Sequence, residues 1–376
     1  MSTPAASVTS ATLTAQGGGE RVVLPGQSPA GEYILSVLVK RTYVIGSTGV
    51  CVRADADREV LGGDVFWDHP MNSSVRFETD FWPFKVATDV VLNGTVYAPG
   101  GRPTPSCVAS LQIGDRRKSI AVVGDRVARY AGGGPPAVTD PEPFEAMELR
   151  YERAYGGTDV FSDLKILYPY PRNPLGRGFV VKNTPKSLDD LPLPNLEDPR
   201  APISATELCL GDYAQWETRP MPAGFGWFPK VWRPRALLAG VLPRDRAVEQ
   251  ELRQAYAQLI PQADQREAYL KHGFRDMDFA FFNGASDGLA MPFLHGGETV
   301  VTENLSPQGR VTFELPTDTP RIGLDIGEGV QEPEVALHTV MIHMDEGQVD
   351  LVWRGAVPYR GPEWLPEMRK TELEVL

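Results

Sequence analysis

Five residues, Gly284-Ala285-Ser286-Asp287-Gly288, fit the G-x-S-x-G pattern that makes a serine an acyl-transfer nucleophile. That chemistry needs the serine on a sharp turn between a strand and a helix, with an acid and a histidine further along the chain. Asp278 to Phe282 reads as the strand, and Asp325 and His338 lie downstream in the right order. The helix is the poor fit, because Pro292 falls in its first turns. Metal chemistry has fewer components. His338 and His343 are five apart on an expected strand, whose period of two sends them to opposite faces. His295-Gly296-Gly297-Glu298 can bend around an ion but brings no third ligand. Cys51, Cys107 and Cys209 are odd in number and widely spaced, so they read as single thiols in a reducing cytosol. There is no Walker A loop and no G-x-G-x-x-G. Carboxylates are abundant, yet nothing singles out a pair for glycoside hydrolysis. No catalytic residue, metal or cofactor is expected.

The densest chemistry lies in a segment rich in Arg, aromatics, Gly and Pro between Tyr151 and Arg235. It contains Arg153, Tyr155, Arg172, Asn173, Arg177, Phe225, Trp227 and Trp232. An arginine offers five donors, enough to tie several loop carbonyls together or to grip a carboxylate. Tyr, Trp and Arg are also the usual anchors of protein interfaces. Two readings stand: arginines that pin loops to each other, or a docking surface for another protein.

The elements around this segment read as mainly β, in sandwich-like halves with a loop-rich middle and few short helices. Ile34 to Val44 is rich in β-branched and aromatic residues, and Val50 to Arg53 continues as its partner across a Gly-containing turn. Cys107 to Ile113 alternates, with Cys107, Ala109, Leu111 and Ile113 on one side, and Ser119 to Val123 follows. Val311, Phe313 and Leu315 alternate, and Val335 to Met344 and Gln348 to Arg354 flank a hairpin signal at Asp345-Glu346-Gly347. One stretch has helical spacing, Asp245 to Ile260, stopped by Pro261. The chain divides into a flexible tail (1–22), an N-terminal β-rich region (23–143), the loop-rich motif region (144–235), a helical insert (236–285) and a C-terminal β-rich region (286–376). Gly132 to Pro143 reads as a linker.

Composition sets the class. The chain has 376 residues, 42% hydrophobic and 23% charged, which excludes wholesale disorder. Gly (37) and Pro (34) exceed ordinary usage and favour turns and short strands. A net charge of −12 argues against nucleic acid and anionic membrane as partners. The first twenty residues lack the cationic and apolar stretches of a signal peptide, and no apolar run approaches the ~20 residues that span a bilayer. A soluble, cytoplasmic protein is expected. Charge is uneven: Val311 to Asp350 carries nine acidic residues against one basic, whereas Gly226 to Arg275 is net basic. Such asymmetry reads as a solvated acidic face or as steering of a basic protein partner.

The ordered motifs carry a family resemblance. Glu152-Arg-Ala-Tyr-Gly-Gly-Thr-Asp159, Arg172-Asn-Pro-Leu-Gly-Arg-Gly-Phe179, Leu193-Pro-Asn-Leu-Glu-Asp-Pro199, and Pro222-Ala-Gly-Phe-Gly-Trp227 with Trp232-Arg-Pro-Arg235 follow one another. Upstream stand Val39 to Tyr43, Ala87 to Gly94, Tyr97 to Gly100 and Gly124-Asp-Arg126; downstream, Phe281 to Ala285, Gly296 to Glu298 and Asn304 to Pro307. Over Leu24 to Pro316 this series resembles domain-of-unknown-function family 2169, found with type VI secretion systems. The resemblance implies a non-catalytic adaptor or chaperone that stabilises a secreted effector and helps load it on a PAAR-tipped spike, touching PAAR or VgrG-type proteins. It also implies no catalytic residues. The segment Arg244 to Arg275 is longer than usual, and no pentapeptide-repeat extension follows Pro316. Two rivals are a hydrolase built on Ser286 or on carboxylates, and a glycan-binding module with Trp353 or Trp364 as a stacking platform.

Overall fold

A computed structural model describes residues 20–28, 31–129, 136–160, 167–181, 190–239, 254, 278–325, 330–361 and 373–375. Two sheets, of seven and five strands, organise these residues. In chain order their strands are β1 (Glu20–Gln27), β2 (Tyr33–Ile45), β3 (Cys51–Arg53), β4 (Thr88–Asn93), β5 (Ser106–Ile113) and β6 (Arg116–Val123). They continue with β7 (Leu196–Glu197), β8 (Ala290–Met291), β9 (Thr299–Glu303), β10 (Arg310–Glu314), β11 (Val335–His343) and β12 (Gln348–Pro358). The larger sheet runs β1-β2-β12-β11-β4-β8, with β3 beside the end of β2. The smaller runs β7-β6-β5-β9-β10. Pairing is antiparallel except between β11 and β4.

The fold is mainly β, and the helices among the described residues are short. All but one of the expected strands form, and the hairpin between β11 and β12 closes through Met344–Glu346 with Gly347 left-handed at φ 62°. Regions 23–143 and 286–376 are not independent halves, because both contribute strands to both sheets. Within the expected linker, Ala137–Val138 pairs with Val127–Arg129. Asp278 to Phe282 is not a strand: Phe279–Phe282 is one short 3-10 turn, capped by the Asp278 carboxylate accepting from Ala280 N. The helical-period stretch Asp245 to Ile260 lies outside the described residues, apart from position 254.

Alternation along β2 sets the layering. Leu35, Val37, Val39 and Tyr43 join Leu351, Trp353 and Leu337 of the same sheet in one apolar core. Ala109, Leu111, Ile113, Ile120, Val122, Val300 and Phe313 of the smaller sheet complete that core. Burying each large apolar side chain contributes roughly 1.5–3 kcal/mol, so this layer is the main cohesive element. On the other face of β2, Ser36, Lys40 and Thr42 flank Leu38 and are nevertheless buried. That second, polar face positions the candidate site.

Candidate functional site

Segment 54–86 covers the polar face and bonds to it at the spacing of a strand. Ser36 Oγ donates to Pro83 O (3.1 Å), and Lys40 Nζ to Glu59 O and Asp80 Oδ2 (both 3.0 Å). Arg58 N donates to Thr42 Oγ1 (2.9 Å), which donates to Asp350 Oδ1 (2.7 Å). His343 Nε2 lies 2.9 Å from Asp350 Oδ2. Burial pushes the Asp350 carboxyl up, but hydrogen bonds and charge from His343, with Lys40 and Thr42, outweigh it and hold it below the usual range. A buried polar group without a partner costs several kcal/mol, so these pairings define which loop conformation fits.

Beside this row two sequence motifs, Ala87 to Gly94 and Phe281 to Ala285, meet at Asp89 of β4, a fully buried carboxylate. Four donors meet it: Lys85 Nζ (2.5 Å), Asn283 Nδ2 (3.2 Å), and the backbone N–H groups of Gly284 and Ala285 (3.0 Å each). Lys85 also donates to Thr339 Oγ1 (3.0 Å) and sits over the Trp227 ring. Arg235 pairs with Glu78 (2.7 Å) and donates to Phe228 O and Phe281 O. Burial raises the Glu78 carboxyl despite the opposing charges of Arg235 and Lys85. Gly284 fits between these groups because it has no Cβ: one there would collide with Glu78 Oε2 and approach Arg235 Nη1 to 2.6 Å. Sequence reasoning did not single out Asp89, Lys85, Glu78 or Arg235 as site residues. The available signal was Asp89 inside the apolar run Thr-Asp-Val-Val-Leu, since an acid on a buried strand needs partners.

The seven Arg/aromatic residues and Asn173 do not form one open patch. Tyr155, Asn173, Phe225, Trp227 and Trp232 are buried, and Arg153, Arg172 and Arg177 half-buried. Tyr155 packs with Tyr170 and Phe179 in a separate small cluster, Phe225 and Trp232 belong to the main core, and Trp227 packs on Val91 and Met341. Asn173 Nδ2 donates to Tyr151 O (2.7 Å) and Tyr155 O (3.2 Å), knotting the two leading motifs. Gly156, at φ 150°, allows this approach, because a Cβ would strike Asn173 O. The arginines reach carbonyls: Arg172 Nη1 donates to Glu217 O and Arg219 O, and Arg177 Nε to Glu152 O. Arg153 Nη1 donates to Asn195 Oδ1 (3.4 Å). Pinning of loops accounts for these contacts.

The sequence profile of the family described as "Uncharacterized protein conserved in bacteria (DUF2169)" matches residues 30–354. The chain belongs to that family. No curated protein and no solved structure matches it.

In this DUF2169 protein the G-x-S-x-G serine is not on a nucleophile elbow. A short 3-10 turn precedes it, and strand β8 follows in place of a helix. Ser286 is buried, donates to Gly224 O (2.9 Å) and accepts from Lys118 Nζ (2.9 Å). Burial pulls the Lys118 amine down to about 8. His338 stacks on Phe293 instead, at a β-bulge that interrupts the period of two on β11. Burial, then the charges of Arg354 and Lys85, hold its pKa well below the usual imidazole value. Trp353 is 2% exposed and therefore no stacking platform for a sugar, while Trp364 lies outside the described residues. Cys51, Cys107 and Cys209 are half-buried free thiols. Among the described residues no helix is long and apolar enough to cross a membrane.

Proposed function

We propose that this DUF2169 protein is a non-catalytic, cytoplasmic adaptor that binds and stabilises a type VI secretion effector and helps load it on the PAAR-tipped spike. The partner class comes from the motif series that resembles secretion-associated relatives. One observation supports a scaffold over a reacting site: Asp89, where two of the motifs meet, is taken up by four donors, two of them backbone N–H groups. Charges arranged this way fix loops in place and leave no carboxylate oxygen of Asp89 for a substrate. The half-exposed arginines Arg153, Arg172 and Arg177 are the members of the motif set within reach of a partner. A stable adaptor contact would bury about 800 Å² on each side. Co-expression with an effector encoded beside it is expected to raise the effector's soluble yield and to co-purify both. Unchanged yield without co-purification would sink the reading.

A second reading has one contact in its favour. A lysine amine with a lowered pKa, 2.9 Å from a serine hydroxyl, is the pairing of Ser–Lys hydrolases. It requires fluorophosphonate labelling that disappears in both Ser286→Ala and Lys118→Met. Absence of labelling removes it.

A further inference from the structure

Arg153 and Arg177 leave the chain from one knot of backbone. Arg177 N donates to Ala154 O (3.0 Å), Arg177 Nε to Glu152 O (3.2 Å), and Asn195 N to Arg153 O (2.7 Å). The Arg177 guanidinium therefore lies against the peptide that joins Glu152 to Arg153. Cations placed so closely repel. After burial, the charge of Arg153 is the strongest influence on Arg177 and lowers its pKa, ahead of the opposing pull of Asp125. Neighbouring acids relieve the pair only in part. Asp125 Oδ1 stands 3.7 Å from Arg177 Nη1, beyond hydrogen-bond length, and accepts from Asn195 Nδ2 (2.9 Å). Glu152 has both carboxylate oxygens taken by Ser74, through its N (2.6 Å) and its Oγ (2.8 Å). Arg153 has no ion pair among the described residues, and its bond to Asn195 Oδ1 is long, at 3.4 Å.

The nitrogens that pin no loop face solvent. Arg153 Nε and Nη2 and Arg177 Nη2 have no hydrogen-bond partner, yet none is covered by protein, unlike the enclosed Nε of Arg172. The Arg177 side chain is 31% exposed, and Arg153 is half-buried. An oxyanion arriving here is met by forked N–H donors from two guanidinium groups at once, the geometry that favours carboxylate and phosphate. The net charge of −12 turns away a polyanion such as nucleic acid, whereas a single carboxylate answers this local excess of positive charge. We propose that Arg153 and Arg177 form a clamp for one carboxylate, an Asp or Glu side chain presented by the partner protein. This rests on the adaptor reading for its partner and adds the group which that partner must present. Its test uses short peptides, so its failure would leave the co-expression experiment to decide the adaptor reading alone.

The probe is a blocked pentapeptide, Ser-Gly-Glu-Gly-Ser, titrated into the full chain at low ionic strength beside the same peptide carrying Gln and beside inorganic phosphate. Charge-assisted pairing predicts about tenfold tighter binding of the Glu peptide than of the Gln peptide, with the Nε–H resonances of Arg153 and Arg177 shifting. Arg153→Met and Arg177→Met should each abolish that preference. Arg172 bonds to Glu217 O and Arg219 O instead, so Arg172→Met should keep it. Asp125→Asn retains an acceptor for Asn195, removes the competing acid and should tighten Glu-peptide binding about threefold. Equal affinity for the two peptides, binding of neither, or a preference that survives both Arg153→Met and Arg177→Met would overturn the proposal. So would tighter binding of phosphate than of the Glu peptide, which would assign the pair to a phosphate group. The Glu–Gln comparison on the unaltered chain stands whatever the variants' folding.

Discussion

The two faces of the larger sheet are both buried but held by different forces. The face toward the smaller sheet is lined by Val37, Val39, Leu351 and Trp353, whose packing is cohesive and tolerant of exchange among similar shapes. The opposite face carries Lys40, Thr42, Asp89, Thr339, His343, Asp350 and Arg354, each hydrogen-bonded to a neighbour on the face or to a covering segment. There each residue is fixed in identity, because a lost partner leaves a buried charge or dipole unanswered. Two of the family motifs, Ala87 to Gly94 and Phe281 to Ala285, meet on this second face and lay a loop over a sheet that the first face already stabilises.

Removing one member of the polar face is the sharpest way to break this contrast. Asp89→Ala strands Lys85 and two backbone N–H groups, and should lower unfolding stability by about 4 kcal/mol in a urea titration. On the apolar face, Leu351→Ala should cost about 3 kcal/mol, a loss that Leu351→Met largely recovers. No comparable swap rescues Asp89. If Asp89→Leu were as mild as Leu351→Met, the contrast would fail. Gly284→Ala tests packing within the polar face, with about 2 kcal/mol lost to the collision with Glu78 and Arg235.

Acidity should separate the faces more gently. The folded-state pKa of His338 lies below its unfolded value of about 6.5, so the unfolded chain binds more protons there. Its contribution is complete above that value and declines as pH falls from about 6.5 toward the folded pKa. The His338→Phe variant should therefore show a shallower fall in Tm across this window than the unaltered chain. An identical slope would mean that the titrating group lies elsewhere.

How far the sequence could be read follows from the same division. The apolar core was legible: Ala109, Leu111 and Ile113 of the smaller sheet alternate as expected and are buried in it. The polar face was hidden because its groups come from distant places. Lys40 and Arg41 are adjacent cations in the sequence, yet one meets Asp80 and the other Asp318, on opposite faces. The bulge at His338 leaves no mark in the residue pattern. Arginines and aromatics between 151 and 235 serve equally for docking and for tying loops, and only the distances to Glu217 O, Arg219 O and Glu152 O separate the two uses.

The pairing of β2 with β12 has a consequence for synthesis on the ribosome. β12 emerges roughly 300 residues after β2, so at about 5–20 residues per second the nascent chain waits on the order of 15–60 s for that partner strand. During that interval the flank of β2 that will join Leu351 and Trp353 has no native neighbour, and the parallel bond between β4 and β11 is likewise missing. Assembly of the larger sheet is thus a late event, completed when its final strands slot between segments made long before.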